Sequence, residues 1–309
     1  MSFTSNVKKE VSTIDSDQNE KIAELSAIVR NNAIYDDNSI EIITENSKVA
    51  KRLYLLFKEI YYFNPTIENK DNAFNRNRLY IIRVKEKVKT ILNDLSVIDE
   101  NNNYLMVPKE YIAASEEEKR AYLRGVFLVV GSINDPKTSR YHLEFFIDKL
   151  EEAEYISNLL NEFYLNSKIT PKEKKYMVYI KEAEKNADFL RIIKANNAVM
   201  YYEDIRIYRD HKNMTNRLNN MEQANIDKII STCTEQINDI NKIIDNDCKD
   251  LLDDKTKEAM DYRLKYPESS LQELSEIMSL ETGKFITKSG LNHRFRKIKK
   301  FANQITNKE

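Results

Sequence analysis

Apolar residues recur along this chain in two long segments that resemble each other. SIEIITENSKVAKRLYLLFKEIYYFNPTI, from Ser39, aligns with HLEFFIDKLEEAEYISNLLNEFYLNSKIT, from His142. In both segments a β-type alternation is followed by helical spacing and then by a second β-type run, which predicts strand, helix and strand. The chain therefore contains an internal duplication.

Each copy is flanked by the same further elements. A helical pattern precedes it, and a β-rich segment, from Arg78 or Tyr176, and a charged amphipathic helix follow it. The predicted unit is α-β-β-α-β-β-α, present twice in an α+β fold. Two tandem units bury more apolar surface by packing together than either could bury alone. A duplicated scaffold without a binding function remains the alternative.

Helical patterns dominate the remainder of the chain. A polar run, HKNMTNRLNN from His211, interrupts them and predicts a linker or hinge. A long helix with apolar positions from Ile226 to Ile240 follows and is expected to connect two domains. Three short helices come last, the second with Ser270 as N-cap and Glu273 completing a capping box.

The third of these helices has an unusual charge distribution. GKFITKSGLNHRFRKIKK, from Gly283 to Lys300, carries seven Lys/Arg residues and no carboxylate, although the formal net charge of the chain is only -1. From Leu291 onward, apolar residues recur at helical spacing and predict an inward stripe. The opposite face is typical of a DNA-contacting helix, and a merely solvated basic helix is the alternative.

Composition narrows the class of protein. No apolar run approaches the roughly 20 residues of a membrane span, which favours a cytoplasmic protein. Two cysteines and three histidines, scattered along the chain, predict neither disulfides nor a zinc site. Four glycines provide no loop that could cradle a phosphate, so P-loop and Rossmann nucleotide chemistry is excluded. We expect no metal and no cofactor.

Three separated motifs carry a resemblance to a known family. They are KRAYLRGVFLVVGSINDP from Lys119, TNRLNNMEQAN from Thr215, and SLQELSEIM followed by TKSGLNHRFRKI. In this order they resemble the WhiA family of bacterial transcription regulators. The resemblance implies a region similar to LAGLIDADG homing endonucleases, followed by a helix-turn-helix similar to the promoter-binding region 4 of sigma factors.

The resemblance also gives the expected domain boundaries. The endonuclease-like domain is expected over residues 1–212, with repeats at about 20–98 and 115–200. The linker and connecting helix are expected over residues 213–245, and the helix-turn-helix domain over residues 246–309.

The function implied by the resemblance is sequence-specific binding of double-stranded DNA at promoter sites. Family members are linked to sporulation in actinobacteria and to cell division and chromosome segregation in other Gram-positive bacteria, and a nucleoid-associated location is expected. Another transcription factor or RNA polymerase stays open as a partner, as do the oligomeric state and a small ligand. An active LAGLIDADG-type endonuclease and a nucleoid-associated scaffold protein are the alternatives.

Cleavage by the endonuclease-like region would require an acid at the end of each motif helix, because carboxylates hold the divalent metal at the scissile phosphate. The nine-residue motif of the homing endonucleases resembles residues 123–131, where Val130 occupies the acid position, and residues 25–33, where Asn32 does. We therefore predict no nuclease activity. Three nearby acids beyond the helix ends are the candidate substitutes: Asp36, Asp37 and Asp135.

What remains of the motif is predicted to serve packing. Gly125 and Gly131 in one copy face Ala27 and Ala33 in the other, as a seam of small residues between the two halves.

The sheet surface of this region carries charges of both signs. The residues that could contact the phosphate backbone of DNA are Arg76, Arg78, Arg83, Lys172, Lys174 and Lys175, with Tyr80, Tyr176 and Tyr179 between them. Carboxylates on neighbouring strands, Glu41, Glu45, Glu144 and Asp148, would repel phosphate. A weakened DNA surface, or one redirected to a protein partner, is the favoured interpretation.

The C-terminal helix is interpreted as the recognition helix, whose N-terminal residues reach base edges in the major groove. The base-edge candidates are Ser289, Asn292, His293 and Arg296, and the phosphate candidates are Lys288, Arg294, Lys297 and Lys299. Arg296 is the main specificity candidate. The predicted connection before this helix, SLETGKFI, is longer than the three or four residues of a minimal helix-turn-helix.

Overall fold

The structure, a computed structural model, describes residues 2–71, 78–138 and 140–306. Packing divides the chain into two compact units, Met1–Arg209 and Asp210–Glu309. Among the described residues, no helix is long and apolar enough to cross a membrane.

The first unit contains the duplicated elements in the predicted order. Its helices are α1 (Phe3–Val11), α2 (Gln18–Asn32), α3 (Ser47–Tyr61), α4 (Val88–Asp94), α5 (Glu116–Val130), α6 (Leu150–Glu162) and α7 (Ala183–Ile192), with a 3-10 turn at Glu110–Ala113. Its strands are β1 (Ile34–Tyr35), β2 (Ile40–Thr44), β3 (Thr66–Asp71), β4 (Arg78–Val84), β5 (Gly131–Ile133), β6 (Leu143–Ile147), β7 (Lys168–Lys172) and β8 (Lys175–Ile180). Helix α8 (Asn196–Asp245) follows.

The strands form two antiparallel sheets of identical topology. Their orders are β1-β2-β4-β3 and β5-β6-β8-β7. The aligned residues Ile40 and Leu143 hold equivalent places, because Ile40 pairs with Val84 and Leu143 pairs with Ile180. The predicted α+β fold with two α-β-β-α-β-β-α units is confirmed.

Helices α2 and α5 pack closely at a glycine. A Cβ atom on Gly125 would lie 2.4 Å from the carbonyl oxygen of Glu24 and 2.9 Å from Cβ of Ala27. Only glycine tolerates that approach of two backbones. A Cβ on Gly131 would instead meet Phe127 at 2.4 Å, so the contacts that require this glycine come from the last turn of α5 rather than from Ala33.

A buried ion cluster lies beside this seam. Glu24 is fully buried, and Arg52 donates to its carboxylate at 2.8 and 2.9 Å while Arg124 donates at 2.8 Å. Burial alone would raise the pKa of Glu24, but the guanidinium groups of Arg124 and Arg52 outweigh it and hold that pKa below its ordinary value. The carboxylate therefore joins α2 to both α3 and α5.

Helix α1 was not predicted as an element. Ser2 is its N-cap, and Phe3, Val7 and Val11 are its buried residues. The hydroxyl of Thr4 donates to the carbonyl oxygen of Ile133 at 2.8 Å and accepts from the N–H of Ile133 at 2.9 Å. Those two bonds fasten α1 to strand β5.

The second unit is helical. It contains the C-terminal part of α8, a 3-10 turn at Lys249–Leu251, and helices α9 (Asp254–Lys265), α10 (Leu271–Thr282) and α11 (Lys288–Thr306). Its core includes Ile240, Met260, Leu274, Met278 and Phe295.

One prediction for α8 is wrong, and a second is confirmed only in part. The polar run from His211 is helical rather than a linker, since it contains no glycine or proline that would end a helix. The apolar face predicted from Ile226 is buried only toward the C-terminal end: Cys233 and Ile240 are buried, whereas Ile226 and Ile230 are 49% and 54% exposed. Helical spacing identifies an apolar stripe but does not show how much of that stripe is buried.

The cluster around Glu24 gives a test of stability. Replacing Glu24 with Gln leaves Arg52 and Arg124 buried without their carboxylate, and breaking a buried pair in this way costs about 3–5 kcal/mol. We expect urea unfolding followed by circular dichroism to show that loss at neutral pH. Glu59→Gln is the control, because Glu59 pairs with Lys21 at a half-exposed site and should change stability by less than about 0.5 kcal/mol.

The same variant predicts a pH dependence. Because the folded pKa of Glu24 is lowered, its contribution to stability is complete above the ordinary value of 4.5 and is lost as pH falls through the folded pKa. The difference in unfolding free energy between the wild type and Glu24→Gln should therefore shrink in acid. A difference independent of pH down to unfolding would contradict the assignment.

Candidate nucleic-acid interface

Helices α10 and α11 form a helix-turn-helix whose ends are fixed by side-chain caps. The Ser270 hydroxyl accepts from the N–H of Glu273 at 3.2 Å, and the Glu273 carboxylate accepts from the N–H of Ser270 at 2.7 Å. The predicted capping box is confirmed. At α11, the hydroxyl of Thr287 accepts from the N–H of Gly290 at 3.1 Å, which makes Thr287 the N-cap of this helix.

The connection between these helices is shorter than predicted. The first four residues of the predicted loop, 279–282, are the last residues of α10, so the connection is residues 283–287. Gly283 ends α10 in the left-handed conformation, with φ of 65°, where a β-carbon would be strained. The hydroxyl of Ser279 accepts from the N–H of Ile286 at 3.0 Å and lies 3.2 Å from its carbonyl oxygen.

Helix α11 has one buried face and one exposed face. Leu291, Phe295, Ile298 and Ala302 are buried in the core of the second unit, as the sequence predicted. One turn of an α-helix is 3.6 residues, so the side chains of Ser289, His293, Arg296 and Lys300 lie opposite that stripe. All four are exposed.

The base-edge candidates differ in accessibility. Ser289, His293 and Arg296 are exposed, and Asn292 is half-buried at the edge of the exposed face. Arg296 lines a shallow cleft of about 380 Å³ together with Lys300 and Gln304. Helical spacing predicted Lys300 on the same outward face as Arg296, without assigning it to a base edge or to a phosphate, and the structure places it there.

Three of the phosphate candidates have partners within the chain. Arg294 is the most constrained, because it donates to the carboxylate of Glu258 at 3.2 Å and to the carbonyl oxygen of Lys255 at 3.1 Å. Lys297 lies 3.5 Å from Asp253, and Lys299 lies 3.0 Å from Glu235.

These ion pairs affect the charge of the surface. Hydrogen bonds from Thr256, and then Lys297, hold the pKa of Asp253 below its ordinary value, and the hydrogen bond to Glu235 raises the pKa of Lys299. Exposed pairs contribute at most about 1 kcal/mol, so a phosphate could replace either carboxylate. Lys288 is exposed at the first turn of α11.

In the first unit, the two motif helices end at the lost acid positions. Asn32 is the last residue of α2 and Val130 is the last residue of α5. The side-chain oxygen of Asn32 is buried and has no hydrogen-bond partner among the described residues. Across the same residues, no group of three or more His, Cys, Asp or Glu side chains could hold a metal.

The nearby acids each take part in local structure. Asp36 accepts from the backbone N–H groups of Asn38 and Ser39, which lower its pKa. Asp37 pairs with Lys89 at 3.1 Å. Asp135 accepts from the hydroxyl of Tyr201 at 3.3 Å.

The sheet surface carries cations that are paired with carboxylates. Arg83 donates to Glu41 at 2.7 Å and to Glu68 at 2.5 Å, and Lys175 lies 2.9 Å from Asp148. Arg78, Lys172 and Lys174 are exposed, Tyr80, Tyr176 and Tyr179 are half-buried, and Arg76 lies outside the described residues. Two carboxylates on one guanidinium leave that part of the surface with net negative charge.

The fold defines a class of protein in which a duplicated α/β unit is followed by a helix-turn-helix. Family models match in that order: the WhiA N-terminal LAGLIDADG-like domain at residues 18–98, the WhiA LAGLIDADG-like domain at residues 119–212, and the WhiA C-terminal HTH domain at residues 215–302.

Whole-length relatives show the family. The chain is 42% identical over 312 residues to a probable cell division protein WhiA of Bacillus cytotoxicus, covering 99% of this chain and 97% of the relative. It is 38% identical over 310 residues to a probable cell division protein WhiA of Lysinibacillus sphaericus, covering 99% and 98%. The chain belongs to the WhiA family.

A solved structure shows the same fold. The crystal structure of full-length WhiA from Thermatoga maritima matches with a TM-score of 0.60 at 22% identity, covering 98% of this chain and 99% of that chain.

The hydroxyl of Ser279 gives a test of how the turn supports α11. Ser279→Ala removes its bond to Ile286, and a lost hydrogen bond of this kind costs about 1 kcal/mol. We expect that decrease in the unfolding free energy of the second unit. Ser289→Ala, on the exposed face, is the control and should stay within about 0.5 kcal/mol of the wild type. Equal stability of the two variants would contradict the role of Ser279.

Proposed function

We propose that this protein is a sequence-specific DNA-binding transcription regulator that binds double-stranded DNA through α11. The observation that supports this most directly is the exposed face of α11, where Ser289, His293, Arg296 and Lys300 lie opposite the buried stripe. A helix of this kind fits the major groove, and its cations attract the phosphate backbone.

The geometry supports a division of roles along α11. Ser289, His293 and Arg296 are proposed to contact base edges, with Asn292 at the margin of the contact. Lys288, Lys297 and Lys299 are proposed to contact phosphates, and Lys300 joins them. Arg294 is proposed to orient α11 against α9 through Glu258 rather than to bind DNA on its own.

The first unit is proposed to be a platform without catalytic activity. Both positions that would need a metal-binding acid carry other side chains, Asn32 and Val130. A neutral amide and a methyl-bearing side chain cannot provide the anionic oxygens that hold a divalent cation at a phosphodiester. On this proposal the unit contributes shape and contacts for another protein or for DNA.

The proposed biological setting follows from the relatives. Those with about 40% identity are named as probable cell division proteins, which supports a role in cell division for this chain, and chromosome segregation rests on the family resemblance alone. Sporulation remains the setting that the resemblance to actinobacterial members implies. The domain boundaries predicted at residues 212 and 245 are retained as part of this proposal, with the helix-turn-helix in the last domain.

Two substitutions on the exposed face test the DNA contact. Arg296→Ala should cost about 1–3 kcal/mol of binding free energy at a genomic site and relax base preference. Lys300→Ala should weaken binding to all sequences alike and reduce the salt slope by about 1. Fluorescence anisotropy with genomic and scrambled duplexes measures both quantities.

The control for these two variants is Lys242→Ala, which removes an exposed lysine of α8 and leaves every cation of α11 in place. We expect it to bind DNA as the wild type does. Unchanged affinity and unchanged salt slope for both Arg296→Ala and Lys300→Ala would contradict the proposal. Binding without any preferred promoter sequence would instead favour the nucleoid scaffold.

Incubation with plasmid DNA and Mg²⁺ or Mn²⁺ tests the endonuclease alternative. We expect no metal-dependent cleavage, because Asn32 and Val130 provide no charge for the metal. Asp135→Asn is the variant that discriminates: cleavage by the wild type that disappears in this variant would show that Asp135 replaces the lost acids, and the platform proposal would then be wrong.

A further inference from the structure

The second unit contains a cleft of about 460 Å³ at the start of the helix-turn-helix. Residues of α8 form one wall, and the first residues of α10 and α11 form the others. Among the described residues, the lining includes three cationic side chains, Lys228, Arg263 and Lys288, and no carboxylate. The cleft is therefore a region of positive potential apart from the exposed face of α11.

Arg263 is the most unusual of these cations because it is fully buried without a carboxylate. Its guanidinium donates to the side-chain oxygen of Gln236 at 2.9 Å and to the carbonyl oxygens of Ser269 and Tyr266 at 2.6 and 3.2 Å. All three acceptors are neutral, and no carboxylate of the described residues lies within ion-pair distance. Burying a charge without a counter-charge is unfavourable, and burial lowers the pKa of Arg263.

One nitrogen of this guanidinium is also left without an acceptor. Nη2 of Arg263 is buried and makes no hydrogen bond within the described parts of the chain. Buried donors are nearly always paired in folded proteins, so an unpaired charged donor beside a cleft indicates a missing acceptor. An anion in the cleft would provide both the acceptor and the negative charge.

The other lining groups suit an anion with several acceptor oxygens. Lys228 and Lys288 are both exposed, and neither forms an ion pair within 4.0 Å among the described residues. The hydroxyl of Ser270 also lines the cleft, whereas that of Thr232 donates to the carbonyl oxygen of Lys228 at 2.8 Å. Guanidinium and ammonium donors together match the oxygens of a phosphate, which accepts several charge-assisted hydrogen bonds at once.

We propose that this cleft binds a phosphate group, held by Arg263, Lys228 and Lys288. Two sources have this chemistry: a backbone phosphate of bound DNA, or the phosphate of a small metabolite, for which the volume lies within the range of about 300–1,000 Å³ typical of ligand sites. Binding of a small metabolite does not depend on the proposed function. Binding of a DNA phosphate rests on the proposed function and adds a contact to the DNA backbone outside the exposed face of α11.

Occupancy of the cleft would act on α11 by two routes. Lys288 is the first residue of that helix, and the guanidinium of Arg263 lies over the ring of Phe295, 5.4 Å from its centroid. A phosphate that draws these cations together would hold the start of α11 in place. Its binding would thereby change the affinity of the exposed face for DNA.

Titration of the full chain with inorganic phosphate in a chloride buffer, followed by ³¹P NMR, tests the site. Lys228→Gln removes one charge-assisted contact, so its Kd for phosphate should rise about tenfold. Lys242→Gln, on the same helix outside the cleft, and Arg296→Gln, on the exposed face of α11, should bind phosphate as the wild type does. Arg263→Gln should also lose phosphate binding. If Arg263→Gln fails to fold, Lys228→Gln remains as the test of the site.

Duplex DNA added to the phosphate-bound protein distinguishes the sources. Displacement of phosphate, together with a salt slope lower by about 1 in Lys228→Gln, assigns the site to a DNA phosphate. Retention of phosphate in the complex assigns it to a small molecule. Phosphate binding that is lost in Arg296→Gln but unchanged in Lys228→Gln would overturn the inference.

Absence of both phosphate binding and any effect of Lys228→Gln on DNA affinity would overturn it as well. A failure of the proposed function is distinguishable from these outcomes. In that case Arg296→Ala would leave DNA binding unchanged while Lys228→Gln still weakened the binding of inorganic phosphate.

Discussion

The close approach of α2 and α5 is the constraint on which the first unit depends. Gly125 lets the two backbones meet at the carbonyl oxygen of Glu24, and the Glu24 carboxylate then binds Arg124 of α5 and Arg52 of α3. At the aligned positions of the second copy, Tyr122 and Tyr155 form an edge-to-face pair with ring centroids 5.5 Å apart. The second copy also contains a buried ion pair, because Glu152 of α6 is buried and accepts from Arg30 of α2 at 3.1 Å. Buried charges on both sides of the seam therefore hold α2, and helices α2 and α5 end at Asn32 and Val130 rather than at acids.

Much of the fold could be predicted from local patterns. The alternating and helical spacing of apolar residues correctly predicted the strands and helices of both repeats, since one face of each strand and helix must be buried. Capping also depends on residues close together in the chain, so Ser270 and Glu273 correctly identified the start of α10. The inward stripe of α11 followed from the same spacing, and with it the exposed positions of His293 and Arg296.

What could not be predicted depends on contacts between residues distant in the chain. Sequence spacing does not show that Arg294 meets Glu258, or that Arg263 lies buried between Gln236 and Phe295. The linker predicted from His211 was wrong because it rested on the polarity of that run alone. The run contains no glycine or proline, and polar residues are tolerated on an exposed helix, so α8 continues through it. The role of Gly131 was assigned to the wrong neighbour because a motif identifies a small residue without identifying what crowds it.

The proposed function depends on the exposed face of α11 as the surface that meets DNA. Photocrosslinking tests it most directly, with a benzophenone amino acid placed at His293 of α11 or at Tyr176 of β8 in the full chain. With a duplex carrying a genomic site, the account predicts a crosslink from position 293 that unlabelled specific duplex competes away. A crosslink from position 176 with none from position 293 would contradict it.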